Sequence, residues 1–253
     1  MKPLILITND DGVAAKGLRV LDEIALKFAD VIVMAPEYNA SGASHSITST
    51  RPLRVREVKN SDGLKVYACD GTPADCVKLA VEHFCPRQPD LVLSGINHGS
   101  NSSINVLYSG TMAAAIEASA LGMTGVGISL LNHNPEADFS GCVLHVEKII
   151  GQLLAHPIPQ GIALNINIPR LDADNIKGIH ICHAAQARWT DSFERRTDPQ
   201  GRPYWWLTGK FERIDNDPES DENRLADGYI SIVPILPDFT HYPSIDKLRW
   251  LEQ

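Results

Sequence analysis

Residues 4 to 7 are four consecutive aliphatics, Leu-Ile-Leu-Ile, with no polar position between them. Such a run has the composition of a strand buried on both faces, which belongs in a parallel sheet covered by helices. From Gly17 to Ala29 the period changes. Leu18, Leu21, Ile24, Ala25 and Phe28 recur at helical spacing and predict a helix with one buried stripe. Strand character returns at Val31 to Ala35, which completes a strand, helix, strand unit whose handedness is nearly always right. Leu53 to Val58 and Leu64 to Ala68 alternate and are joined through Asn60 to Gly63, the pattern of a hairpin.

Pro73 to Phe84 reads as a helix with Thr72 as its cap, and Asp90 to Ser94 as a short buried strand. Thr111 to Leu121 is rich in alanine and is closed by Gly122, so a further helix is expected there. A strand at 125–130, a helix at 139–155 and a strand at 162–168 complete the expected main sheet. The alternation predicts an α/β fold, with a mostly parallel sheet flanked by helices.

Beyond Ala184 the pattern changes. Arg195, Arg196, Asp198, Gly201, Arg202, Trp205 and Trp206 mix charge, turns and aromatics, which suggests an extended arm used between subunits. Tyr229 to Ile235 reads as a strand and Ser244 to Leu251 as a short helix. The expected division is a catalytic core over 1–184 and an oligomerisation arm with the C-terminal strand and helix over 185–253.

The 253 residues suffice for one large core with an excursion, and 43% hydrophobic and 21% charged residues are ordinary for a globular protein. No apolar run approaches the length of a bilayer span, so no membrane partner is expected. A net charge of −8 argues against a nucleic-acid duplex as partner, because that needs a basic stripe. Five scattered cysteines fit reduced thiols, and with only Lys2 ahead of the first strand the expected location is the cytoplasm.

The first strand ends in two adjacent carboxylates, Asp10 and Asp11. They repel one another until a cation or a shared proton neutralises them. Two further polar loops, 36–50 and 95–110, also follow predicted strands, so all three are expected at one edge of the sheet, where ligands bind in such folds. Asp10, Asp11, Ser41 and Asn97 then form an all-oxygen donor set, suited to Mg²⁺, Mn²⁺ or Ca²⁺. Ser109-Gly110-Thr111 opens a helix, where exposed N–H groups favour an anion, and Gly110 allows close approach. Taken singly, each residue serves equally as a turn former or a helix cap.

Together, Ile-Thr-Asn-Asp-Asp-Gly at 7 to 12, Ala35-Pro36 with Ser41-Gly42, Gly71-Thr72-Pro73, Ser94-Gly95-Ile96-Asn97-His98-Gly99-Ser100-Asn101 and Tyr108-Ser109-Gly110-Thr111 resemble the SurE family of survival-protein nucleotidases. The resemblance implies a Rossmann-like fold and a divalent-metal-dependent phosphatase acting on nucleoside 5′- and 3′-monophosphates, with some exopolyphosphatase activity. It implies one metal ion per subunit held by Asp10, Asp11, Ser41 and Asn97. Asn9, Asn101, Ser109 and Thr111 would border the phosphate, with Gly42 and Gly110 giving it room. A homodimer or homotetramer built through the arm is implied as well. The chain departs from the family pattern at Ser103 and Ala113, where glycines are expected.

The expected chemistry is attack of water on a phosphate monoester, with Asp10 and Asp11 as the catalytic pair and Asp11 favoured to orient the water or take its proton. An aspartyl-phosphate intermediate is the competing route. Two other readings stay open: a nucleotide-binding protein without turnover, and a magnesium-dependent receiver-like signalling domain. The second lacks a phosphoacceptor Asp after the strand at 90–94.

Overall fold

The computed structural model describes residues 2–252. Its centre is β1 (Leu4–Thr8), every residue of which is buried. It pairs in parallel with β2 (Asp30–Pro36) on one side and with β5 (Leu91–His98) on the other. With β3 (Val55–Ser61), β4 (Leu64–Cys69), β6 (Gly125–Leu130), β7 (Ala163–Ile168), β8 (Ile179–Ile181) and β11 (Ile230–Ile235), the strands form one nine-stranded sheet in the order β3-β4-β2-β1-β5-β6-β7-β11-β8. The expected hairpin is present, since β3 and β4 are antiparallel. The sheet does not end at 168. β11 pairs antiparallel with β7 and parallel with β8, so the chain returns to the core after its excursion.

Helices cover both faces, as the uninterrupted apolar strands require. On one face lie α1 (Lys16–Ala25) and α4 (Ser140–Ala155), where Leu18, Leu21, Ile24, Val146 and Ile150 pack onto Ile5, Ile7 and Val33. On the other lie α2 (Pro73–Leu79) and α3 (Gly110–Ala120), where Cys76, Val77, Ala114 and Ala118 meet Leu4, Leu6, Met34 and Val92. Thr72 caps α2 as expected, in a reciprocal capping box with Asp75. All five cysteines are free thiols.

Several boundaries differ from the sequence expectation. α1 stops at Ala25 because the N–H groups of Lys27 and Phe28 turn to shorter-range partners, Ile24 and Ala25. The expected helix at 73–84 widens after Leu79 into a π-turn over Ala80–Phe84, with Cys85 N–H reaching the Ala80 carbonyl at 2.8 Å. β5 runs on to His98, so Gly95, Ile96 and Asn97 lie in the strand and not in the polar loop. The strand is irregular there, its register against β6 shifting between Ser94 and Asn97. Gly95 has φ +138°, and a Cβ on it would lie 2.3 Å from the Ile128 carbonyl oxygen, so only glycine fits. The expected C-terminal helix is two 3₁₀ turns, Tyr242–Ser244 and Asp246–Glu252.

The arm is a two-stranded ribbon of β9 (Ala187–Thr197) and β10 (Pro203–Arg213), paired in unbroken antiparallel register from Ala187–Arg213 to Thr197–Pro203. The short α5 (Asp221–Ala226) then leads into β11. Among the described residues no helix is long and apolar enough to cross a membrane.

Candidate functional site

From β1 the chain runs to β2 and β4 on one side of the sheet and then returns to β5 on the other. The connections diverge between β1 and β5, which makes the ground beyond the carboxyl ends of these two strands the switch point at which such sheets bind ligands. Asp10 and Asp11 leave β1 at this point, and Asn97 and His98 close β5 beside them. The loop after β2 reaches the same place, with Ala40 N–H donating to the Asp10 carbonyl at 2.7 Å. Ser41 follows it.

Asp10 is buried at the N-terminus of α3. Thr111 donates its hydroxyl to Asp10 Oδ1 at 2.6 Å and its N–H to Oδ2 at 3.1 Å. Ser109 is the helix cap, its Oγ accepting Met112 N–H at 3.0 Å. The electropositive helix end therefore faces the Asp10 carboxylate first. Gly110 makes that contact possible, since a Cβ there would lie 2.8 Å from the Asp10 Cβ and 3.0 Å from its Oδ2. Burial raises the Asp10 pKa above the ordinary carboxylate value, and the bonds from Thr111 oppose the rise.

Asp11 is only partly buried, yet its Oδ2 is enclosed and has no hydrogen-bond partner. Burial raises its pKa, the neighbouring Asp10 charge adds to the rise, and His98 opposes it. An enclosed carboxylate oxygen without a donor, next to a second buried carboxylate, is the arrangement a cation relieves. Among the described residues no group of three His, Cys, Asp or Glu side chains is placed to hold a metal. A metal here needs the neutral oxygens as well.

Asn97 lies at the end of β5 and donates its amide to the Gly99 carbonyl at 2.9 Å, leaving its amide oxygen outside that bond. Ser41 is exposed, and its N–H is held by Asn39 Oδ1 at 2.8 Å. Gly42 has φ +75° and open space where a Cβ would be. The Asn9 carboxamide closes its own turn, donating to the Gly12 carbonyl at 3.0 Å and accepting Gly12 N–H at 3.2 Å. Asn101 is buried and braced from three directions: its N–H goes to Asn167 Oδ1 at 2.8 Å, its side-chain amide to Ser129 Oγ at 2.9 Å, and its carbonyl accepts Asn165 at 2.8 Å. The structure thus brings Asp10, Asp11, Gly110, Thr111 and the end of β5 together, while Asn9 is engaged by the turn.

Sequence reasoning missed the polar layer behind the 97–111 segment. Asn165 and Asn167 alternate along β7, both buried on one face of an otherwise apolar strand. That spacing was the available signal. Glu222 on α5 accepts the Ser102 hydroxyl, and Asp221 accepts Ser103 N–H at 2.7 Å. Ser103 stands in the left-handed region at φ 55°, where a side chain is strained, and its hydroxyl bonds to the Ala185 carbonyl at 2.7 Å. Ala113, the other departure from the expected glycines, is buried in α3.

The family model described as survival protein SurE matches residues 5–191. A protein named 5′-nucleotidase SurE from Christiangramia forsetii is 49% identical over 98% of this chain and 96% of its own length. One of the same name from Flavobacterium johnsoniae is 46% identical with the same coverage. The crystal structure of the SurE protein from Aquifex aeolicus superposes with a TM-score of 0.86 at 33% identity, over 99% of this chain and 100% of that one.

Proposed function

The chain belongs to the survival protein SurE family, and from that premise we propose that it is a divalent-metal-dependent nucleotidase, releasing phosphate from nucleoside 5′-monophosphates and, with the same machinery, from 3′-monophosphates and polyphosphate chain ends. The observation that carries the reading is the enclosed, unpartnered Oδ2 of Asp11 beside the buried carboxylate of Asp10, at the switch point of the sheet.

The residues fit a hard cation. Asp10, Asp11, the Asn97 amide oxygen and the Ser41 hydroxyl would hold one Mg²⁺ or Mn²⁺ per subunit. When bound, such an ion supplies charge neutralisation for the phosphoryl oxygens. The Thr111 hydroxyl and N–H fix the Asp10 carboxylate, so one member of the pair stays rigidly oriented. The Ser109 hydroxyl and the second N–H of the Asn101 amide donate to the phosphate, and Asn9 keeps the acidic turn closed. Asp11, whose pKa burial raises, would orient the attacking water and take its proton on a carboxylate oxygen that the cation leaves free, while the departing nucleoside oxygen takes up a proton from solvent as its bond to phosphorus breaks. The exposed ribbon face suits assembly into a homodimer or homotetramer, and the cytoplasm is the proposed location.

A phosphate-release assay over a panel of nucleotides and polyphosphate, with EDTA and with added Mn²⁺ or Mg²⁺, tests the reading. Release from nucleoside monophosphates that EDTA stops and the ions restore is expected. Binding without release, at any metal concentration, overturns it in favour of a nucleotide-binding protein.

A further inference from the structure

We infer that the cleft between Tyr108 and Trp189 is the nucleobase subsite, an inference that rests on the nucleotidase reading and deepens it. The cleft has a volume of about 380 Å³ and is bounded by Asn105, Tyr108, Trp189, Asp191, Leu207 and Thr208. It lies where the base of a bound nucleotide must be sought. Tyr108 directly precedes Ser109 and stands two residues from Gly110, the residue in contact with Asp10. Consecutive Cα atoms are about 3.8 Å apart, so the cleft wall begins within roughly 8 Å of the Gly110 Cα. One ribose bridges such a span.

One residue, Asn105, bonds to both walls. Asn105 accepts Tyr108 N–H on its backbone carbonyl at 3.0 Å and the Trp189 indole N–H on its Oδ1 at 2.9 Å. Ser44 N–H holds the Tyr108 carbonyl at 3.2 Å, which ties this wall to the loop that carries Ser41. On its other side the Trp189 ring meets Phe211 edge to face, with centroids 5.6 Å apart. Both cleft aromatics stay open, Tyr108 at 52% and Trp189 at 40% relative exposure.

The ribbon register explains why the cleft has depth. Trp189, Asp191, Leu207 and Gly209 share one face, because Asp191 pairs with Gly209 and Leu207 lies two residues from it. With no side chain at Gly209, the space in front of Leu207 remains available. A mainly apolar cleft with an aromatic residue on each wall is the kind of surface on which a base stacks. The Asp191 carboxylate at its edge accepts hydrogen bonds from the amino groups of adenine, guanine or cytosine, and uracil has no such group to offer.

Calorimetric binding and steady-state hydrolysis of AMP and of ribose 5-phosphate, by the full chain and by Trp189→Ala, test the assignment. Stacking of one base accounts for about a tenfold change or more. The dissociation constant and KM for AMP are therefore expected to rise about tenfold in the variant with kcat little changed, while ribose 5-phosphate is handled as before. The Tyr108→Leu variant, which keeps apolar bulk and removes the ring, is expected to show the same split. Unchanged AMP binding in both variants overturns the subsite, as does equal weakening for the two esters. Absence of hydrolysis with the binding split intact would instead count against the nucleotidase reading alone.

Discussion

The carboxylate of Asp221 accepts the backbone N–H of Ser103 at 2.7 Å, joining α5 to the segment between β5 and α3. Its other oxygen accepts Ala185 N–H at 2.9 Å and Glu222 N–H at 2.8 Å. The residue is fully buried. One side chain thus secures the strained Ser103 backbone and the root of the arm.

Replacing Asp221 with alanine leaves these amides without an acceptor, at about 1–3 kcal/mol for each one that water cannot reach. An overall loss of about 3 kcal/mol is expected, which lowers Tm by roughly 6–12 °C in a chain of this size. Calorimetry of the variant checks the fall, and a Tm within 2 °C of the parent would contradict the role assigned to Asp221 (about 1 kcal/mol or less).

At the acidic pair, Asp10→Asn retains one acceptor for Thr111 but removes a charge from the set of oxygens. Phosphate release is expected to drop by about a hundredfold or more with little change in Tm. Parallel activity and melting measurements separate loss of chemistry from loss of fold.

A methyl group at position 110 would collide with Asp10 at 2.8 Å. Gly110→Ala is expected to displace that carboxylate and cost about a hundredfold in kcat, the usual effect of a displacement near 1 Å at a reacting centre. An alanine variant with full activity would show that this contact does not position the site.

Stability against pH is governed in part by Asp22 on α1, whose pKa is pushed up to about 6, first by burial and then by the neighbouring Glu23. A carboxyl raised in the folded state favours folding below its unfolded value and loses that contribution as pH rises through about 6. Asp22→Asn is therefore expected to stabilise the protein at pH 7 by about 1 kcal/mol, allowing for solvent screening of a partly exposed group, and to have no benefit at pH 4. Melting curves at the two pH values give the sign directly.

On the ribbon, Phe193 pairs with Leu207, and the two are 67% and 63% exposed. Replacing Phe193 and Trp205 with serine is expected to shift the sedimentation coefficient to that of a smaller species. An unchanged coefficient would remove this face from any subunit contact.

Much of this was legible in the residues. The run Leu4 to Ile7, the helical stripe from Leu18 to Ile24 and the Thr72 cap declared the sheet, a covering helix and a helix start through local pattern alone. The path of Gly95 to Asn97 was not legible, because Gly and Asn in sequence read as a loop, while the strand continues in an irregular register with Gly95 pressed close to the Ile128 carbonyl. The role of Thr111 was only half visible. Its place at a helix start suggests an anion, and only the fold shows that the anion in contact is the chain's own Asp10. Asp221 and Asn105 were out of reach, since their partners lie 118 and 84 residues away.

A pair of strands with no sheet behind it holds its shape poorly when isolated in water. Here that pair forms one side of the Trp189 cleft, so whatever steadies the outer half of the ribbon also sets how firmly the inner half grips a flat ring. If the cleft takes the base and the ribbon joins subunits, choice of ester and state of association are mechanically linked, and a change that loosens one will blur the other even though the acidic pair is untouched.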